Sequence, residues 1–339
     1  MRSVIRQVAV CVLVAVAVYG APKPAPAPAQ WLGLIGEYGP DNEILYILEK
    51  DGKLCASFKR AEPEPLHEVS RNVFAFAANG PHANQRLTFT RDRNNRATQV
   101  KLNNTTLQRR QIEPEAGANQ LRVSPVRPVP DLIKEALNAQ PPVDSGDFRE
   151  PDLVELITLD PTIRLDIRYA TTNNLFGTVF YSEPRAFLQR PAAESLVRVS
   201  RKLKPLGYGL LVHDAYRPWY VTKVFWDATP DDKKVFVADP SKGSRHNRGC
   251  AVDLTLYDLK TKQPIAMVST YDETTDRAYP DYTGGTSLQR WHRDLLRTAM
   301  EAEGFKVYPA EWWHFDFNDW QKYPILNTRF EKIKYMKWL

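Results

Sequence analysis

Two short segments in the C-terminal half of the chain carry residue types that can do chemistry together. The first runs from Ser244 to Asp253 and contains His246, with Gly249 between the histidine and the aspartate. The second is Glu311-Trp-Trp-His314. Two neutral imidazoles and one carboxylate (His246, Asp253, His314) form a ligand set for a catalytic zinc ion, leaving a fourth position for water. Water bound there has a pKa near ~7, and Glu311, beside a ligand without being one, could take its proton. Each residue alone has a plainer role open to it: His246 could cap a helix, Asp253 could pair with Arg248, and Glu311 could be solvated. Short patterns recur by chance, and it is the two segments in one module and in this order that carry the signal.

The elements around these residues must bring them together. On the strand expected after Gly249, Val252, Leu254 and Leu256 share one uniformly apolar face, which must be the core face, so Asp253 lies on the opposite side. The Asn-Arg-Gly between His246 and that strand lets the chain turn until both side chains converge. Glu311 and His314 are three apart, which separates them on a regular strand and joins them in a helical turn. The sequence therefore predicts a turn at Glu311 leading into a strand at His314. Helices are expected at Pro191–Leu203, after Pro218 and at Ser287–Glu303, with strands at Gly209–His213, Ala251–Tyr257, Phe305–Tyr308 and His314–Phe317. Strands and helices interleave without a regular βαβ repeat, so the expected class is α+β: an antiparallel sheet flanked by helices.

The whole chain has 339 residues, which allows about two domains. With 43% apolar and 11% aromatic residues it is a folding chain, and three cysteines cannot staple it as a disulfide scaffold. The charge of +6 is spread over 46 basic and 40 acidic residues, too thin an excess to point to nucleic acid. Residues 1–20, with Arg2, Arg6 and an apolar run from Val8 to Val18, read as a secretory signal peptide, which implies a periplasmic or secreted protein without a stable membrane span after cleavage. Residues 21–30 (APKPAPAPAQ) read as a stiff tether. Residues 31–112 read as a small, mostly β domain with alternating Ile44, Tyr46, Leu48 before an Asp51-Gly52 hairpin and Leu54, Ala56, Phe58 after it. Residues 113–145 read as a proline-rich linker enclosing a short helix begun by Asp131, and residues 146–339 as the chemical domain. Cys55 and Cys250 are expected as two separate buried thiols.

Ser244-x-His246-x-x-Gly249-x-Ala251-x-Asp253 followed by Glu311-x-x-His314 resembles the signature of zinc D-alanyl-D-alanine peptidases and their hedgehog-like relatives. Tyr169-Ala-Thr-Thr-Asn-Asn174, Asp214-Ala-Tyr-Arg-Pro218 and Met267 through Asp272 resemble the VanX-like D-alanyl-D-alanine dipeptidase branch, over about residues 150–325. The resemblance implies zinc on His246, Asp253 and His314, Glu311 as general base, and Arg217 stabilising the oxyanion. It implies that Asp272 receives the ammonium of a D-Ala-D-Ala substrate, and that Ser244 and Tyr169 lie near its carboxylate. Asp214 is expected to orient Arg217, and Tyr181 to be a second pocket tyrosine, at a spacing after Gly177 that departs from the family. His213 and His292 match no ligand and are expected to be structural. A carboxypeptidase acting on longer wall peptides is disfavoured by Asp272, because an ammonium receptor is useless for a blocked substrate. A non-catalytic wall-binding module is disfavoured by Glu311 and Arg217.

Overall fold

The computed structural model describes residues 22–58, 61–110 and 123–333, so the expected signal peptide lies outside the described residues. No helix among the described residues is long and apolar enough to cross a membrane. Residues 22–28 carry neither helix nor strand, Lys23 places its ammonium 5.3 Å from the Tyr208 ring centre, and a short helix α1 (Ala29–Leu32) follows.

Eight strands then follow in meander order: β1 (Gly36–Tyr38), β2 (Leu45–Lys50), β3 (Lys53–Phe58), β4 (Glu64–Ser70), β5 (Val73–Phe76), β6 (Arg86–Arg91), β7 (Ala97–Leu102) and β8 (Thr105–Gln108). The Gly39 N–H donates to the Gln108 carbonyl (2.9 Å) and the Arg110 N–H to the Glu37 carbonyl (2.9 Å). These bonds return the last strand to the first and close the meander into a barrel, with β3 and β4 paired only at Cys55–Pro65 and Ala56–Glu64. The β2–β3 hairpin turns at Asp51 (φ 52°) and Gly52 (φ 74°), the two positive φ values that the favoured two-residue turn requires. Leu45, Ile47, Leu54, Ala56, Phe74 and Phe89 fill the interior. On β2 the alternating set Tyr46 and Leu48 points the other way, into a second cluster with Cys55 that packs against Tyr282. Both faces of β2 are covered, so its apolar residues occupy both parities and alternation alone could not say which set faces inward.

The proline-rich stretch is corrected for its described part. The helix inside it, α2 (Val129–Asn138), buries Val129, Leu132 and Ala136 in the larger core, while Val126 and Val143 beside it stay exposed. Pro128, not Asp131, stands at its N-cap; Asp131 lies in the first turn. The chain continues through β9 (Leu153–Glu155), α3 (Leu156–Leu159), β10 (Arg164–Leu165), β11 (Phe187–Gln189), α4 (Arg190–Leu203), β12 (Tyr208–Asp214), α5 (Trp219–Ala228), β13 (Ala251–Asp258), α6 (Ser287–Glu301), β14 (Phe305–Tyr308) and β15 (Glu311–Phe317). The main sheet has the order β10-β12-β13-β15-β14. It is antiparallel except at one edge, where the two-residue β10 runs parallel to β12. Val252, Leu254 and Leu256 join Leu196, Val199, Leu295 and Leu296 of α4 and α6 in one core, which makes the apolar face of β13 the helix-covered one. Cys250 lies in this core and Cys55 at the barrel's outer face.

Asp160 ties the end of α3 to the end of α4. It accepts hydrogen bonds from the Thr162 hydroxyl (2.6 Å), the Ser200 hydroxyl (2.8 Å) and the Lys204 ammonium (3.0 Å). Burial alone would raise its pKa, but these donors outweigh it and hold the carboxyl at about 2. A folded-state pKa below the unfolded value stabilises the fold above the unfolded pKa, and the contribution is lost as pH falls towards the folded one. Asp160→Asn is expected to lower the unfolding free energy by ~2 kcal/mol at neutral pH. Urea titrations should show the deficit shrinking between about pH 4 and about pH 2.

Candidate metal and substrate site

The site begins with a register. Asp253 of β13 stands directly opposite His314 of β15, so the two side chains leave the same face of the sheet, away from the helices. His246 arrives from a 3-10 turn (His246–Arg248) that ends at Gly249 with φ 66°. A side chain at position 249 would adopt a left-handed conformation and bring its Cβ within 2.6 Å of Leu153 Cδ2, so glycine is what lets the turn enter β13.

Glu311 differs from the expected turn. It is already in β15, and it reaches the site because the strand is irregular there. Val307 pairs with Phe315, but the next residue, Tyr308, pairs with Glu311, so residues 312–314 are extra on the β15 side. An insertion of three resets the pleat, and Glu311 Oε2 comes to 3.8 Å from His314 Nδ1 although the two residues are three apart.

The ligand atoms of His246, Asp253 and His314 lie within 4.8 Å of one another, and all three residues are buried. His246 Nδ1 is 2.6 Å from the Ala215 carbonyl, which occupies that nitrogen and leaves Nε2 facing His314 Nδ1 (3.2 Å). The Nε2 of His314 is 2.9 Å from Asp316 Oδ1. Tyr271 donates its hydroxyl to Asp253 Oδ2 (2.9 Å). The other carboxylate oxygen, Oδ1, is buried 3.0 Å from His314 Nδ1 and 3.4 Å from His246 Nε2 without an aligned hydrogen bond to either, a convergence that is costly unless a cation takes it. The three side chains therefore fit a metal, and two imidazoles with one carboxylate suit zinc. The imidazole–carboxylate proximity holds Asp253 well below the usual carboxylate range, against a burial that would raise it.

These three residues line a cavity of about 250 Å³ together with Glu311, Arg217, Asp272, Ser244 and Tyr169. Burial pushes the Glu311 carboxyl up to about 7, with Asp253 adding to the rise and the histidines opposing it. Asp272, held at φ 57°, is pushed up to about 8 by burial and by the charges of Asp253 and Glu311. Arg217 donates Nε and Nη2 to Asp214 Oδ2 (3.0 and 2.8 Å), with its guanidinium over the Tyr169 ring (5.2 Å).

Two expected contacts, those of Tyr169 and Tyr181, are relocated. Tyr169 donates its hydroxyl to Asp272 Oδ2 (2.9 Å), which puts it at the Asp272 end of the cavity instead of the carboxylate end. Tyr181 donates to Asp214 Oδ1 (2.7 Å) and does not line the cavity. Asp214 is fully buried and occupied by Tyr181, Arg217 and the Ala215 N–H, so it holds Arg217 and does not face the cavity. Ser244 does line the cavity, its hydroxyl accepting from the His246 N–H at 3.3 Å. His292 sits apart, against the Tyr208 hydroxyl (2.9 Å). His213 stacks on the Tyr271 ring (4.7 Å) and so backs the residue that holds Asp253.

Tyr271 and Asp316 are the functional residues that motif reading missed. Both had a local signal: Asp316 is two residues past His314 and so on its face of the strand, and Tyr271 precedes Asp272. Partners of this kind fix ligand orientation. Tyr271→Phe is expected to weaken zinc binding roughly 10–100-fold while leaving the fold intact. A competition titration against a chromophoric chelator reads this, and unchanged affinity would show that the bond does not hold Asp253.

Comparison with known proteins agrees with this geometry. The family described as D-ala-D-ala dipeptidase matches residues 149–334. The chain is 31% identical over 179 residues to the D-alanyl-D-alanine dipeptidase of Escherichia coli (strain K12), covering 53% of this chain and 91% of that protein. It is 33% identical over 183 residues to the enzyme of that name from Enterococcus faecium, covering 48% of this chain and 89% of that one. It is 32% identical over 193 residues to the one from Streptomyces coelicolor (strain ATCC BAA-471 / A3(2) / M145), covering 52% of this chain and 93% of that one. The family match takes in every metal-binding and cavity residue named above, and on that basis the chain belongs to the D-Ala-D-Ala dipeptidase family of M15 metallopeptidases.

Proposed function

We propose that the protein is an exported zinc dipeptidase that hydrolyses D-alanyl-D-alanine to two D-alanines in cell-wall peptide metabolism. The observation that carries this is one small cavity lined at once by the His246, Asp253, His314 triad, Glu311, Arg217 and the buried carboxylate of Asp272. The shared printed name of the relatives supports the substrate. The apolar run behind Arg2 and Arg6 supports export.

Zinc on the triad, when bound, would polarise the scissile carbonyl and make water acidic enough to ionise near neutrality. The rest of the chemistry falls to the chain itself. Asp272 pairs with the substrate ammonium, and the Tyr169 hydroxyl holds Asp272 in place. Glu311, poised near neutrality, takes a proton from the attacking water as its oxygen adds to the carbonyl carbon, then delivers that proton to the leaving amine as the C–N bond breaks. Arg217 faces the oxygen on which negative charge grows, and Asp214 keeps its guanidinium from swinging away. Ser244 lies where the C-terminal carboxylate is expected. A substrate extended or blocked at its amino end brings no ammonium to Asp272, which would leave a buried polar group unpaired.

Zinc-loaded protein offered D-Ala-D-Ala, its N-acetylated form and a wall pentapeptide is expected to cleave only the free dipeptide. Hydrolysis of the blocked form would replace this reading with a carboxypeptidase, and no hydrolysis of any of the three with zinc bound would replace it with a binding module. Glu311→Gln is expected to keep its zinc and lose roughly 10²–10⁴-fold in kcat. Cell fractionation should recover the mature protein outside the cytoplasm; a cytoplasmic mature protein would remove the export element.

A further inference from the structure

The eight-stranded barrel lies outside the residues matched by the family, 149–334, yet it is bonded to the segment that builds one wall of the cavity. That segment joins β13 to α6. Its first part carries Tyr271 and Asp272, its middle lines the cavity through Glu273 and Tyr279, and its last part, from Tyr282 to Arg290, meets the barrel. Glu49 of β2 is the centre of the contact. Its carboxylate accepts the Ser287 N–H (2.7 Å), the Ser287 hydroxyl (3.1 Å) and the Gly52 N–H (2.7 Å). Its backbone N–H donates to the Gly285 carbonyl (3.0 Å), and its carbonyl accepts from Arg290 Nη2 (2.7 Å). A carboxylate at the first residue of α6 also sits where the helix dipole favours negative charge.

A second carboxylate works in parallel. Glu37 of β1 accepts the Tyr282 hydroxyl at 2.8 Å, while Tyr46 of β2 packs edge-on to the Tyr282 ring (centroids 6.3 Å apart). Glu37 and Glu49 are only 4% and 2% exposed. Burying two carboxylates is unfavourable unless each is hydrogen-bonded in place, so this contact tolerates one docking geometry and penalises others. A domain serving only as a loosely tethered appendage has no use for such a contact. On the cavity side, the Gln289 side chain donates to the Met267 carbonyl (3.0 Å) and Arg277 Nη2 to the Val268 carbonyl (2.8 Å), so a shift at the barrel end reaches the start of the Asp272 segment through a few bonds.

We propose that the barrel is a working part of the substrate site: Glu49 and Glu37 are positioning residues that hold the 267–290 segment, and through it Asp272, at the distance a dipeptide ammonium requires. This rests on the dipeptidase reading for its substrate, but the coupling itself can be read without turnover. The barrel then sets affinity and length selection through the segment that carries Asp272.

The test compares full-length zinc-loaded protein with Tyr282→Phe, which removes only the bond to Glu37, and Glu49→Gln, which replaces one acceptor oxygen by a donor. Hydrogen–deuterium exchange of residues 268–280 is measured alongside steady-state kinetics on D-Ala-D-Ala. The expected result is faster exchange across 268–280, a KM raised about fivefold or more, the equivalent of one hydrogen bond, with kcat and zinc content little changed. Unchanged exchange and unchanged KM in both variants would overturn the proposal. So would a fall in kcat and zinc content without faster exchange across 268–280, which marks a merely structural contact. Should the unmodified protein hydrolyse no dipeptide, the exchange data still decide the coupling, and the substrate reading alone is the one that fails. If Glu49→Gln does not fold, the isosteric Tyr282→Phe carries the test.

Discussion

Asp253 and His314 face each other across β13 and β15, and the remainder of the site follows from what that pairing demands. Strand register is specified to the residue wherever one face is buried, because a slip by one exchanges the faces. Here the helix-covered face of β13 is set by Val252, Leu254 and Leu256, so burying those three fixes the direction of the Asp253 carboxylate. The same sheet then brings in His314 without any further adjustment. What remains is to deliver a second imidazole and a base, and the fold does so with two departures from regularity: the left-handed glycine at 249 and the three-residue insertion before Phe315.

Around the triad, each ligand is held by a partner on its far side: Ala215 carbonyl for His246, Tyr271 for Asp253 and Asp316 for His314. Arg217 is held in the same manner by Asp214, which Tyr181 holds in turn. The active groups thus have little rotational freedom left to lose when substrate arrives, which is the condition for electrostatic stabilisation at low reorganisation cost. Acidic groups are also crowded. Asp253, Asp272 and Glu311 share one cavity, and burial with mutual repulsion is what lifts Asp272 and Glu311 above ordinary carboxylates while the histidines keep Asp253 charged. Such divergent pressures on neighbouring carboxylates separate their chemical roles.

The barrel and the larger, helix-flanked sheet differ in how far function could be read from them. In the larger one, the metal-binding set was legible because a metal restricts residue type and order, and those survive in a linear text. In the barrel, the strands and the Asp51-Gly52 turn were legible for the same local reason, yet no side chain there has a chemical signature. The apolar outward residues Tyr46 and Leu48 were ambiguous until Tyr282 was seen covering them, since burial of both faces erases the alternation that distinguishes inside from outside. In the proline-rich stretch the short helix was legible from its apolar spacing, but that it docks in the core was not, because the flanking prolines read the same in a free linker and in a packed one.

What the sequence by itself determined was the chemistry: two histidines, an aspartate and a glutamate at spacings that suit a metal, an arginine beside an aspartate, and the helices and strands written in local periodicity. Only the tertiary structure decided which of these groups face the cavity. It moved Tyr169 to Asp272, withdrew Tyr181 behind Asp214, and recruited Tyr271 and Asp316. It also joined β2 to the start of α6 across more than two hundred residues of chain. The physical reason is that ligand identity is a property of single residues, whereas orientation depends on register, irregularities and contacts between segments remote in sequence, none of which has a local pattern to betray it.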